Sequence, residues 1–189
     1  HFGVSRPVVR ELLSRFHDRG LVRKDARSHW VVGPLTGRDV THFYDIRARL
    51  EPLALREAAQ TASAAEIDRI RGRVADTLAG RVVLSARRLE ILEDDLHRGL
   101  LGHASNGYLL RMIHQSQIVF VINRLFAATV GASPSIAALE EHRIVLDFLG
   151  RNAIDAAETA MQSHLTLAKE RTRQRLKAIS VFPRPELAR

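Results

Sequence analysis

Apolar residues recur at helical spacing along most of the chain, and only one short stretch alternates as strands do. Val8, Val9, Leu12, Leu13 and Phe16 mark a first helix from about Ser5 to Arg19. Gly3 suits the turn before it, Ser5 is a good N-cap, Pro7 falls in the first turn where proline is tolerated, and Gly20 is the expected C-cap. GLVRK and HWVVG then read as two short strands, with DARS as the turn between them. The run VVGPLTGRD, with Gly33, Pro34 and Gly37, reads as a linker. From Thr36 onward the pattern is helical: 36–60, 63–79, 84–104, 107–130, 135–150 and 153–178. Ser63, Asn106, Ser133 or Ser135, and Asn152 stand where N-caps belong, and Gly80, Gly131 and Gly150 stand at helix ends. VFPRPELAR is expected to be a frayed tail.

Charge changes the picture at one end of the chain. The protein has 189 residues and a net charge of +8, of which residues 1–38 hold +5, with eight Lys/Arg against Glu11, Asp18 and Asp25. A basic block on a small module is the electrostatic footprint of a nucleic-acid binder, although a solvated arginine-rich face has the same composition. A capped helix followed by a hairpin is the second half of a winged helix-turn-helix. Arg6 and Arg10, four residues apart, share a face near the helix N-terminus, where the helix dipole disfavours cations. Something outside the helix should favour them there.

Composition excludes other classes. There are no cysteines, so disulfides and thiolate metal sites are ruled out, and an intracellular, cytoplasmic protein is expected. No run of about 18 uncharged apolar residues occurs, so no membrane association is expected; IVFVINRLFAATV is broken by Asn123 and Arg124.

Three of the nine histidines fall on apolar stripes. His97 and Glu93, at i and i+4, lie in the sector of Leu89, Leu92, Leu96, Leu100 and Leu101. His142 lies on the stripe of Ile136, Leu139, Leu146 and Leu149, and His164 on that of Ile154, Ala157, Met161 and Ala168. Any one alone reads as a satisfied core histidine. Three together each need partners for two ring nitrogens, and a divalent metal would give each ring one. Neutral imidazoles plus a carboxylate suit zinc first, and also nickel or manganese. Asp94 would point about 100° away from this face on an ideal helix. His17, His42 and His103 read as surface or edge residues, and His114 and Asn123 as residues that could equally line a pocket or a helix contact.

Four motifs in this order resemble the FadR subfamily of the GntR superfamily of transcription regulators. VSRPVVRELL with GLV and a hairpin resembles the recognition helix and wing. IRARLEPLALREAA resembles the first effector-domain helix, EDDLHRGLLGHASN the mid-domain metal motif, and EHRIVLDFLGRNAIDAAETAMQSHL the closing helix pair. The resemblance implies a mainly α protein: a partial winged helix-turn-helix with a small β-hairpin over 1–33, a linker at 34–38, an all-helical effector-binding domain over 39–180, and a tail at 181–189. It implies DNA contacts from Ser5, Arg6 and Arg10 in the major groove, and phosphate and guanine edges are what would favour cations there. It implies a divalent metal on Glu93, His97, His142 and His164, and an organic-acid carboxylate on Arg47, with Arg49 a weaker alternative. Arg47 could instead form a surface ion pair with Glu51 at i+4.

The chain departs from the family in three places. Glu93 stands where the family has aspartate, so its longer side chain must fold back or shift the ion. The usual wing-tip glycine is replaced near His29. The family's first helix and most of its second precede the turn at Gly3, so Leu12, Leu13 and Phe16 are expected to lack packing partners, and the chain as it stands to bind DNA poorly. The resulting reading is a ligand-responsive regulator, a repressor in the commonest case, acting as a homodimer on a pseudo-palindromic operator. The alternatives are a metal-free member taking an acyl-type ligand, direct metal sensing, and a metal-dependent hydrolase. The last would leave the basic segment unexplained.

Overall fold

The computed structural model describes residues 3–18, 22–32, 37–117 and 135–180. The chain divides into two compact units, His1–Thr36 and Gly37–Arg189.

In the first unit, α1 (Arg6–Asp18) begins as its sequence requires, with the Val9 amide bonding the Ser5 carbonyl at 3.1 Å. None of its residues is buried, and Val8, Val9, Leu12 and Phe16 are exposed. Strands β1 (Val22–Lys24) and β2 (Trp30–Val32) pair antiparallel, Arg23 opposite Val31. Asp25 shapes the turn, its carboxylate accepting the Arg27 and His29 amides at 2.8 Å, while Ser28 takes a left-handed φ of 62°. The His17 ring stands edge-on to Trp30, and the Lys24 ammonium lies over the Trp30 ring, 5.1 Å from its centroid. The expected C-cap Gly20 and most of the expected linker lie outside the described residues.

The second unit is helical throughout its described residues: α2 (Gly37–Thr61), α3 (Ala64–Leu78), α4 (Ala86–Asp94), a π-helical turn (Asp95–Leu100), a 3-10 turn (Leu101–His103), α5 (Gly107–Ser116), α6 (Ile136–Gly150) and α7 (Ile154–Ser180). Three expected caps are made. Ser63 accepts the Glu66 amide, Asn106 the Tyr108 and Leu109 amides, and Ser135 the Ala138 amide. Asn152 is not a cap of that kind. It takes φ 56° and its amide bonds the Leu149 carbonyl, closing α6 rather than opening α7; asparagine tolerates the left-handed region better than most residues. Gly80 turns the chain after α3 at φ +73°. The expected helix 107–130 can be followed only to Ser116, since 118–134, and with them Asn123 and Gly131, lie outside the described residues, as does the tail 181–189.

The largest departure is at 84–104. The expected single helix is α-helix, then a π turn, then a 3-10 turn. Periodicity at 3.6 residues cannot register an inserted wide turn, which is why the sequence reads as continuous.

The core lies between α2, α6 and α7. Val40, Tyr44, Ala54, Leu55 and Ala58 of α2, Leu139, Val145 and Leu146 of α6, and Met161 and Leu165 of α7 are buried, and α7 packs against both α2 and α6. Two polar ties flank the apolar contacts of α2 and α7: the Tyr44 and Thr172 hydroxyls 3.0 Å apart in the interior, and Arg56 bound to Asp155 and Glu158 at the surface. Among the described residues no helix is long and apolar enough to cross a membrane.

Candidate metal centre

Four side chains from four places in the sequence converge inside the helical unit. Glu93 lies in the last turn of α4, His97 sits in the π turn, His142 in mid α6 and His164 in mid α7. One ligand atom from each lies within 4.8 Å of all the others. His97, His142 and His164 are buried, whereas the Glu93 side chain is 21% exposed, so the cluster meets solvent on the Glu93 side. The extra methylene of Glu93 is accommodated by reach: its oxygens stand 3.6 Å from His97 Nε2 and 3.7 Å from His142 Nε2. Asp94 points away, as an ideal helix requires, toward Arg98 at 3.4 Å.

The local chain is arranged to hold His97 in place. A wide turn leaves carbonyls without ordinary helical partners, and the buried Gln117 supplies one, its Nε2 donating to the His97 carbonyl at 2.9 Å while its Oε1 accepts from Arg98. On the far side, Thr61 donates to the His103 carbonyl at 2.6 Å, pinning the 3-10 turn to the end of α2.

Tautomers follow from the partners, because an ionised carboxylate only accepts. His97 Nδ1 lies 2.6 Å from Glu51 Oε2 and His164 Nδ1 lies 2.8 Å from Glu141 Oε2. Arg47 Nη2 is also 3.2 Å from His97 Nδ1 but can only donate; the shorter contact to Glu51 decides in favour of Nδ1–H. Both carboxylates are held ionised. Burial raises Glu51, but the Arg47 guanidinium and then His97 outweigh it and hold it at about 2. Burial likewise works against Glu141, and its bonds to His164 and Arg171 bring it down to about 2. Burial pushes His164 down to about 3 despite the Glu141 bond, and it pushes His142 well below the ordinary imidazole value. Metal ligation needs neutral imidazoles, and burial favours that form at His142 and His164.

With both Nδ1 atoms donating outward, His97 Nε2 and His164 Nε2 turn two lone pairs toward each other at 3.1 Å. Two acceptors do not bond one another. Ligand bonds of about 2.1 Å meeting at about 90° to 109° separate donor atoms by about 3.0 to 3.4 Å, so the spacing suits a shared cation. His142 makes the same point differently. Both its ring nitrogens are buried without a hydrogen-bond partner among the described residues, a costly state for polar atoms unless a ligand is bound. The N3O donor set therefore fits a borderline divalent ion.

The other expected site residues are placed as follows. Ser5, Arg6 and Arg10 lie on exposed surface of α1, Arg6 and Arg10 bordering one depression with Glu11 and Ser14. Arg47 is buried and bound to Glu51, Nε at 2.5 Å and Nη2 at 3.3 Å. The ion pair weighed for it is thus present, in the interior rather than at the surface. Arg49, His17, His42, His103 and His114 are exposed. Glu51 and Gln117 went unrecognised as parts of the site. For Glu51 a signal existed: Val40, Tyr44, Arg47, Glu51, Ala54 and Ala58 form one continuous helical stripe that is buried along its length.

Known proteins resemble this chain over most of its length. The FCD domain family matches residues 42–167. The HTH-type transcriptional regulator YdhC of Bacillus subtilis (strain 168) is 26% identical over 165 residues, covering 86% of this chain and 73% of that protein. The HTH-type transcriptional repressor NanR of Citrobacter rodentium (strain ICC168) is 25% identical, covering 87% of this chain and 70% of its own. Among solved structures, E. coli McbR/YncC shares the fold with a TM-score of 0.72 at 14% identity, over 91% of this chain and 82% of that one. These relatives are regulators rather than enzymes, so a metal-dependent hydrolase is set aside. The chain belongs to the GntR-type transcriptional regulators, with an FCD effector domain following the DNA-binding segment.

Proposed function

We propose that this regulator is a cytoplasmic homodimeric repressor of the FadR subfamily whose effector domain binds a divalent metal, zinc in the first instance, through Glu93, His97, His142 and His164. The observation that carries the reading is the buried convergence of these donors within 4.8 Å around a histidine with no hydrogen-bond partner. The metal would supply positions for a small organic acid entering from the Glu93 side. A carboxylate reaching Arg47 would do so in competition with Glu51, which already occupies two of its nitrogens. Such a ligand regulates by favouring one arrangement of the helices over another. NanR, named a repressor, supports the sign of the regulation.

Elemental analysis of protein purified without chelator tests the centre. About one divalent ion per chain is expected, and none in Glu93→Ala/His142→Ala. A wild-type chain that carries no metal and takes up neither zinc, nickel nor manganese overturns it.

The DNA-binding segment is proposed to act through Ser5, Arg6 and Arg10. Arg10→Ala should weaken binding to duplex DNA and lower the slope of log affinity against log salt by about one. Fluorescence anisotropy across a salt series measures this, and an unchanged slope removes Arg10 from the interface.

A further inference from the structure

Two of the three histidines are held by carboxylates, and each carboxylate is held in turn by a guanidinium. Glu51 receives His97 Nδ1 at 2.6 Å and Arg47 Nε at 2.5 Å, all three groups lying in the interior. Glu141 receives His164 Nδ1 at 2.8 Å and both terminal nitrogens of Arg171, at 2.7 and 2.6 Å. The two chains of contacts come from different helices, α2 and α6, and approach the cluster from separate directions. Among the described residues His142 has no hydrogen-bond partner, and the Glu93 carboxylate stands 3.7 Å from its Nε2.

We propose that Glu51 and Glu141 are positioning residues that hold His97 and His164 as Nδ1–H tautomers with both Nε2 lone pairs aimed at one ion, and that Arg47 and Arg171 fix the two carboxylates. The proposal rests on the metal reading above. Its physical content is that a neutral imidazole has one lone pair and two places to carry it. In water the two tautomers exchange, and only one presents Nε2 as a ligand. A buried carboxylate beside Nδ1 settles the choice before the ion arrives, and it also makes Nε2 a better donor. Each guanidinium gives its carboxylate a further charge-assisted contact, which fixes the orientation of the oxygen that faces Nδ1. Arg47 then contributes to the centre through Glu51 without touching the ion.

The test uses the metal-free wild-type chain, Glu141→Gln and Glu51→Gln, with nitrogen-15 NMR of the imidazoles and zinc titration. Glu141 is the primary variant, since its side chain is partly exposed and its loss does not leave a deeply buried arginine alone. Wild type should show His97 and His164 as Nδ1–H before any metal is added. Glu141→Gln should let His164 populate both tautomers and weaken zinc about 10- to 100-fold, since an amide presents either an acceptor or a donor. Glu141→Asp should restore part of the affinity. Wild-type His164 found as Nε2–H, or Glu141→Gln binding zinc within about twofold of wild type, overturns the proposal. If wild type takes no zinc, the metal reading fails on its own, and the tautomer spectra still decide whether the carboxylates set the rings.

Discussion

Arg47→Met is expected to destabilise the metal-free chain by about 3–5 kcal/mol, because it strands the Glu51 carboxylate in the interior. Glu51 is fully enclosed and has the Arg47 guanidinium as its cation. The loss is the cost of an unpaired buried charge, not the strength of the pair, so the double variant separates the two. Arg47→Met/Glu51→Leu removes both charges and should recover most of the loss. Recovery should stop short by about 1–3 kcal/mol, because His97 Nδ1 loses the Glu51 carboxylate as its acceptor. Urea denaturation at equilibrium measures all three chains. A single variant that loses less than about 1 kcal/mol would mean the pair behaves as a surface pair, as the i,i+4 spacing alone suggests.

How the sequence misplaces this pair shows what it can and cannot convey. Spacing gives Arg47 and Glu51 as neighbours on one helix face, and they are. Habit puts charged pairs at the surface, and here the face is the one that carries Tyr44, Ala54, Leu55 and Ala58 into the core. The same stripe argument singles out Glu93, His97, His142 and His164, whose side chains converge, because histidines on apolar faces stand out where a glutamate four residues from an arginine does not. Glu141 is hidden by adjacency. Being next to His142 in sequence, it points elsewhere on α6, and it returns to the cluster only because α7 offers His164 and Arg171 on that side. No local pattern carries that. The π turn is hidden for a third reason. Its leucines still read as a helical stripe, and the widened turn is fixed by Gln117, twenty residues from His97. The capped helices, hairpin and basic first segment are local features, and they are legible for that reason.

His142→Leu should have opposite effects on the two forms of the protein. In the metal-free chain the wild-type imidazole buries two ring nitrogens with no hydrogen-bond partner. Leucine has similar bulk and no polar atoms, so the metal-free variant should be as stable as wild type or more so, by up to about 1–3 kcal/mol. Metal reverses the order. With zinc at about 100 times its dissociation constant, wild type should gain about 2.7 kcal/mol, or roughly 5–11 °C in Tm for a chain of this size. The variant should gain far less, having lost one of the three nitrogen donors. Thermal melts with and without zinc therefore give a crossing: the variant melts above wild type without metal and below it with metal. A metal-free variant destabilised by more than about 2 kcal/mol would mean that the imidazole nitrogens are satisfied in the folded chain, and an unchanged zinc shift would remove His142 from the ligands. The crossing, if found, places His142 among residues whose presence a stable core alone does not explain. A buried, unsatisfied imidazole is retained at a cost to folding, and the ion is what offsets that cost.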